Sequence, residues 1–246
     1  MRTTTPGLVL IHGGGHAADC WDLTVDAIGL LAPEIEVLAV DLPGRRTRPG
    51  DLHTVTIANW AESVVRDIDT AGLGEVVLVA HSLGGLTAPG VAARLGAERV
   101  REMVFAASHV PPEGRAVVDT LSGLGGMLVR RRGRNVPPGP TPRWWATYAY
   151  TNGMTRSQRT FSLDRLVDES SGVIHEAVSR ADMPGEVPRT WILTSRDRAL
   201  SPRCQRKSIA ALGGVQTLIE IDTCHNLMIS EPERLAELLV ERCRRY

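Results

Sequence analysis

The chain has 246 residues, of which 43% are hydrophobic and 23% charged, an ordinary balance for one α/β domain that can bury its own core. Its 28 basic side chains cancel its 28 acidic ones, so no global field draws it to nucleic acid or to an anionic membrane. Cys20, Cys204, Cys224 and Cys243 form no CxxC pair and no ligand-like spacing with histidine, which argues against a zinc or redox motif.

No run approaches the ~20 apolar residues of a membrane span. The opening Met1 to Pro6 leads straight into a short strand, too brief for the apolar core of a signal peptide. The expectation is a cytoplasmic protein with free thiols, acting on a small molecule, with no nucleic-acid or membrane partner and an unspecified oligomeric state.

The elements alternate along the chain. Leu8–Ile11 is a continuous apolar run ended by Gly13, Gly14 and Gly15, the pattern of a strand buried on both faces. The pattern returns at Val37–Val40, Val76–Val79, Met103–Ala106, Trp191–Thr194 and Leu218–Ile221. Between strands, Ile57 to Ala71 carries Ile57, Trp60, Ala61, Val64, Val65 and Ile68 at helical spacing. Glu231 to Cys243 does the same with Leu235, Leu238 and Leu239, Ser230 standing as its N-cap. Strands alternating with helices require right-handed crossovers and a covered sheet, so the fold expected is α/β, doubly wound, on a mostly parallel six-stranded sheet.

One interval breaks the rhythm. From Pro111 to Pro188 no comparable strand occurs, and helices are expected at Arg115 to Leu121 and Asp164 to Arg180 around a Pro-Gly-rich loop within Gly123 to Arg143. The division is one domain, residues 1–246, with a core of 1–110 and 189–246 and a helical cap insertion of 111–188. The basic run Arg130 to Arg134 reads as a solvated loop, the alternative being a clamp for an anionic substrate. The aromatics Trp144, Trp145, Tyr148 and Tyr150 could form an apolar ceiling or the core of the cap.

Val79-Ala80-His81-Ser82-Leu83-Gly84-Gly85 leaves a buried strand and enters a helix near Leu86, with small residues two before and two after Ser82. This is the spacing of a nucleophile elbow, where a sharp strand-to-helix turn forbids bulk at the flanking positions. Ala80 replaces the commoner first glycine and adds one methyl group.

A serine hydroxyl needs an adjacent base. Of seven histidines, His225 follows the last strand and precedes the final helix, where its loop reaches the carboxyl edge of the sheet. His12 and His81 are explained by the motifs they occupy, His16 and His109 could line a pocket, and His53 and His175 read as surface residues. The base needs a carboxylate, and Asp197, just past the strand ending at Thr194, gives the order Ser82, Asp197, His225. Asp222, three residues before His225, is the rival. Oxyanion donors are expected at the backbone N–H of Leu83 and in the His12-Gly13-Gly14-Gly15 loop, at Gly14 in preference to Gly13. Neither a G-x-G-x-x-G fingerprint nor a P-loop lysine accompanies those glycines, which argues against phosphate binding.

These motifs resemble the α/β-hydrolase superfamily over the whole chain: His12-Gly13-Gly14-Gly15 its oxyanion loop, Asp41-Leu42-Pro43-Gly44 the turn after its next strand, and Ala80 to Gly85 its elbow. The stretch Val9 to His16, with Cys20-Trp21 after it, is similar to the compact branch of plant methylesterases and hydroxynitrile lyases, which lacks the N-terminal hairpin of larger members. It places His16 and Trp21 near the pocket entrance. The resemblance implies ester hydrolysis through an acyl-enzyme, without cofactor or metal, on a small to medium, largely apolar substrate. The alternatives it leaves are a lyase or carbon–carbon bond hydrolase using the three residues as an acid–base set, and a non-catalytic small-ligand receptor.

Overall fold

The computed structural model describes residues 5–121, 123–133 and 136–246. The first part of the chain runs β1 (Gly7–Ile11), α1 (Asp22–Leu31), β2 (Val37–Val40), α2 (Ile57–Thr70), β3 (Val76–His81), α3 (Gly84–Leu95) and β4 (Val100–Ala106). An inserted segment follows with α4 (Val117–Thr120), α5 (Gly123–Arg132), β5 (Gly139–Pro140), α6 (Arg143–Tyr150), α7 (Arg156–Asp164) and β6 (Asp168–Glu169). The chain then returns through β7 (Arg189–Thr194), α8 (Pro202–Ala211), β8 (Thr217–Ile221), α9 (Leu227–Ser230) and α10 (Pro232–Cys243).

Period-two alternation along the strands builds the layers. Val9, Ile11, Leu78, Ala80, Met103, Phe105, Trp191 and Leu193 feed one core cluster, with Trp60, Val64 and Ile68 of α2 and Val91 of α3 packed over them. Their neighbours Leu8, Leu10, Val77, Val79, Val104 and Ile192 face the other cluster, closed by Ile28 of α1 and Leu235 and Leu239 of α10. Apolar residues therefore fill both faces, as a parallel sheet demands. The six strands are all parallel in the order β2-β1-β3-β4-β7-β8. All their carboxyl ends lie on one edge, where the loops bearing Ser82, Asp197 and His225 emerge.

Several local expectations change. Glu231 rather than Ser230 is the N-cap of α10, because Ser230 closes the separate turn α9. The helix expected from Asp164 to Arg180 stops at Asp164, and the chain instead extends into β6, antiparallel to β5. Arg115 to Leu121 shortens to Val117–Thr120, with the Asp119 carboxylate accepting the Ala116 N–H at 3.0 Å. The Pro-Gly-rich loop contains α5 over Gly123–Arg132, and Arg130 at its end donates to the carbonyls of Val118 and Leu121 at 3.0 and 2.6 Å. Arg134 of the basic run lies outside the described residues, as do Met1 to Thr4 of the N-terminal segment. Among the described residues no helix is long and apolar enough to cross a membrane.

Candidate active site

Ser82 sits between β3 and α3 with φ 50°, a left-handed conformation rare for a residue with a Cβ. The turn holds because its backbone is bonded on both sides: Ser82 N–H donates to Ala106 O at 3.2 Å, and Ser82 O accepts from His109 N at 2.8 Å and Gly85 N at 3.1 Å. The glycine two residues on is required by close approach. A Cβ at Gly84 would stand 2.9 Å from the backbone oxygens of both Ile11 and His12. Ala80, by contrast, is fully buried within the sheet and its methyl group joins the core.

His225 lies in the loop after β8, with Nε2 2.9 Å from Ser82 Oγ and Nδ1 2.7 Å from Asp197 Oδ2. Both Asp197 oxygens are engaged. Oδ1 accepts the N–H groups of Ala199 and Leu200 at 2.8 and 2.7 Å, and Oδ2 accepts Thr194 Oγ1 at 3.0 Å and Gln205 Nε2 at 3.3 Å. Asp197 is thus an acceptor at every one of these contacts. It therefore accepts a hydrogen bond from the Nδ1–H of His225 and leaves the Nε2 lone pair facing the serine. Asp222 turns away, accepting from Ser195 Oγ at 2.8 Å and pairing with Arg196 at 3.2 Å, with 79% of its side chain exposed.

Three other buried histidines frame the site, each kept neutral by desolvation first of all. His12 is pushed down to about 3 and His16 to about 4, and His81 lies well below its ordinary value. Their bonds fix their tautomers. Leu42 N–H donates to His12 Nε2, so Nδ1 donates to Gly13 O. Asn226 Nδ2 donates to His16 Nε2, so His16 Nδ1 donates to Gly14 O at 3.0 Å. His81 Nε2 donates to the carbonyl of His225 at 3.0 Å and secures that loop.

The His12-Gly13-Gly14-Gly15 loop lies against the elbow. A Cβ at Gly13 would meet Ser82 Cβ at 2.7 Å, and one at Gly14 would meet Leu83 Cδ1 at 2.6 Å. Among the described residues the N–H groups of Gly14 and Leu83 have no hydrogen-bond acceptor.

The family model for the alpha/beta hydrolase family matches residues 8–238. The chain belongs to that family. It is 27% identical to methylesterase 7 of Arabidopsis thaliana over 97% of its own length and 96% of that protein's. A longer chloroplastic Arabidopsis thaliana protein of the methylesterase group is 24% identical, and the chain spans 64% of it. Among solved structures, an extracellular alpha/beta-hydrolase from a Paenibacillus species, described as homologous to tobacco salicylic acid binding protein 2, superposes with a TM-score of 0.83. The identity is 22%, covering 96% of this chain and 98% of that one. The methylesterases are thus proteins to which the chain is similar, within the family that the model match shows.

In this hydrolase the inserted segment reaches the site. Tyr150 of α6 packs on the His225 ring, centroids 5.4 Å apart, and on His16 at 5.9 Å. Trp145 lines a cavity of about 750 Å³ between the insert and α8, together with His109, Val110, Leu121, Val129 and Leu200. Trp144 and Tyr148 are 73% and 52% exposed, so the aromatic group is not the core of the insert. Two other expectations also change. Trp21 is not near an entrance but fully buried, edge-on to His81 at 6.3 Å, and His175 is half-buried against Ser171 O instead of lying on the surface.

Sequence reasoning missed Gln205, Asn226, Arg45 and Glu169, for which the one available signal is that Arg45 adjoins the quoted turn at Gly44. Tyr150 belongs to the aromatic group that the sequence singles out.

Proposed function

We propose that this alpha/beta hydrolase cleaves a carboxylic ester of a small to medium, largely apolar acid through an acyl-enzyme on Ser82, the insert 111–188 serving as its cap. The observation that carries the reading is the unbroken line Ser82 Oγ, His225, Asp197, with bonds of 2.9 and 2.7 Å, beside two backbone N–H groups that have no acceptor among the described residues. In this scheme His225 Nε2 takes the serine proton as Oγ attacks the ester carbonyl, and Asp197 stabilises the imidazolium. The oxyanion is received by the N–H groups of Gly14 and Leu83, a contribution of about 10²–10³ in rate per donor. Protonated His225 then gives its proton to the leaving alcohol, and water activated by the same nitrogen releases the acid.

The substrate class is supported by the neighbouring cavity, which Val110, Leu121, Val129, Trp145 and Leu200 wall with apolar groups beside Arg115, Asp119 and Lys207; it borders the site through His109, whose N–H donates to Ser82 O. The relatives named as methylesterases make methyl esters of apolar acids the first substrates to try. The test is release of acid from such methyl esters and from short-chain p-nitrophenyl esters, by wild type and by Ser82→Ala. Turnover by wild type alone supports the proposal, and no turnover of any activated ester refutes it.

A further inference from the structure

A carboxylate and a guanidinium lie against the oxyanion loop, and the proposed mechanism leaves them without a task. Glu169, in β6 of the insert, accepts the N–H of Gly15 at 2.9 Å through Oε2. The same oxygen accepts Arg45 Nη2 at 2.7 Å, while Oε1 is taken by the N–H of Ser170 at 2.7 Å. The Arg45 side chain is fully buried, donates through Nε to His16 O at 2.9 Å, and lies over the Trp60 ring at 5.7 Å. Val167 N–H donates to Gly15 O at 2.9 Å, so the insert holds Gly15 by both its donor and its acceptor. On the other side His16 Nδ1 holds Gly14 O at 3.0 Å.

The connections form a closed circuit around one peptide unit: Gly14 O to His16, His16 O to Arg45, Arg45 to Glu169, Glu169 to Gly15 N–H. Gly14 N–H is left out of it and has no acceptor among the described residues. Three consecutive glycines have no intrinsic preference for one conformation. An oxyanion donor works only if it is already aimed where charge develops. The circuit supplies that aim from outside the loop. Glu169 Oε2 also stands 3.2 Å from where a Gly14 Cβ would be, which places the carboxylate directly against the donor residue. A bare negative charge there would oppose a developing oxyanion, and Arg45 cancels it.

We propose that Glu169 and Arg45 are positioning residues for the oxyanion loop, fixing the Gly14 N–H for the transition state; the inference rests on the esterase reading above. It follows that the two are unequal. Removing Arg45 loosens the loop and also leaves Glu169 charged beside the oxyanion, whereas Glu169→Gln keeps an oxygen that can still accept from Gly15 N–H.

The test uses full-length Glu169→Gln, Glu169→Ala, Arg45→Met and the double variant Arg45→Met/Glu169→Gln. Steady-state kinetics on an ester that wild type hydrolyses are measured beside affinity for an alkylboronic acid, which mimics the tetrahedral intermediate on Ser82. Expected are a fall in kcat of roughly 10–100-fold for Glu169→Ala with KM within about 3-fold, and a parallel loss of boronate affinity, as partial loss of an oxyanion donor produces. Glu169→Gln should recover most of the rate. Arg45→Met should be worse than the double variant, in which no unpaired charge remains. Wild-type kcat in Glu169→Ala overturns the proposal, as does a rise in KM with kcat and boronate affinity unchanged. If Glu169→Ala does not fold, Glu169→Gln against Arg45→Met decides by the same readouts. Wild type that hydrolyses no ester refutes the esterase reading instead, and boronate affinity across the variants then still reports on the loop.

Discussion

Asp197 meets the Nδ1 atom of His225 at 2.7 Å across 28 residues of chain, while Asp222, only three residues from that histidine, points to Ser195 and Arg196. Proximity in sequence loses to position in the sheet. Asp197 emerges from the carboxyl end of β7 and His225 from that of β8, and the two strands are paired. Asp197→Asn should keep the fold and lower kcat by several orders of magnitude, since the amide stabilises the wrong imidazole tautomer. Asp222→Asn should change kcat less than about 3-fold. Steady-state kinetics on one ester, with thermal unfolding as the control for folding, would reverse the assignment if the two variants exchanged behaviour.

The elbow glycine has a sharper requirement than the alanine before the serine. Gly84→Ala would push a methyl group into two backbone oxygens at 2.9 Å, and backbone cannot swing aside as a side chain can. Overpacking of this kind costs about 1–3 kcal/mol and displaces Ser82 from His225. Ala80→Gly removes only a methyl group from a strand and should cost about 1 kcal/mol or less, with activity retained. Thermal midpoints and ester turnover of the two variants check this; an active, stable Gly84→Ala enzyme would contradict it.

The four inner strands are legible in the sequence because burial on both faces forces continuous apolar runs such as Leu8–Ile11 and Val76–Val79, while the edge strands β2 and β8 keep an apolar run although they are only partly buried. Ser82, Asp197 and His225 are legible because each follows such a run. The insert is not, because its structure is set by partners distant in sequence. Val167 extends toward Gly15 O, and Gln158 Nε2 reaches the carbonyls of Ile229 and Ser230. Helical periodicity between Asp164 and Arg180 therefore yields to a strand. Gln205 and Asn226 escape for a related reason. A buried amide that satisfies a neighbour leaves no periodic trace.

Buried neutral histidines make stability depend on pH. His12 and His16 fall to about 3 and about 4 in the folded protein, and His81 falls well below its ordinary value, whereas the unfolded chain titrates them near 6.5. Between those limits the unfolded state binds more protons, so their contribution is complete above about 6.5 and is lost as pH falls toward about 4. Each histidine adds a slope of about 1.4 kcal/mol per pH unit in that window. The thermal midpoint should drop steadily from pH 7 to pH 5, and His16→Gln should flatten the slope by about one proton. A midpoint constant over that range would contradict the assignment of neutral histidines.

At the amino-terminal end of the sheet, away from Ser82, Arg242 pairs with Glu102 at 3.2 Å and donates to Thr190 Oγ1 at 2.8 Å, with 4% and 2% of the two charged side chains exposed. Arg242→Met strands a buried carboxylate and should cost about 3–5 kcal/mol, whereas the double change Glu102→Leu/Arg242→Met should recover most of it. The folded fraction of each should hydrolyse esters at the wild-type kcat. Urea unfolding with parallel activity measurement checks both halves; a fully stable Arg242→Met single variant would contradict the pairing.

Activation of Ser82 by His225 is the step on which the proposed function depends, and it is open to direct measurement. Wild type, Ser82→Ala and His225→Ala are treated with a fluorophosphonate, and the adduct is located by mass spectrometry after digestion. The expected result is stoichiometric modification of Ser82 in wild type, none in Ser82→Ala, and a rate reduced by at least about 10³-fold in His225→Ala, because an unassisted hydroxyl is a poor nucleophile. Wild type that stays unmodified, or that is modified as fast without His225, would contradict it.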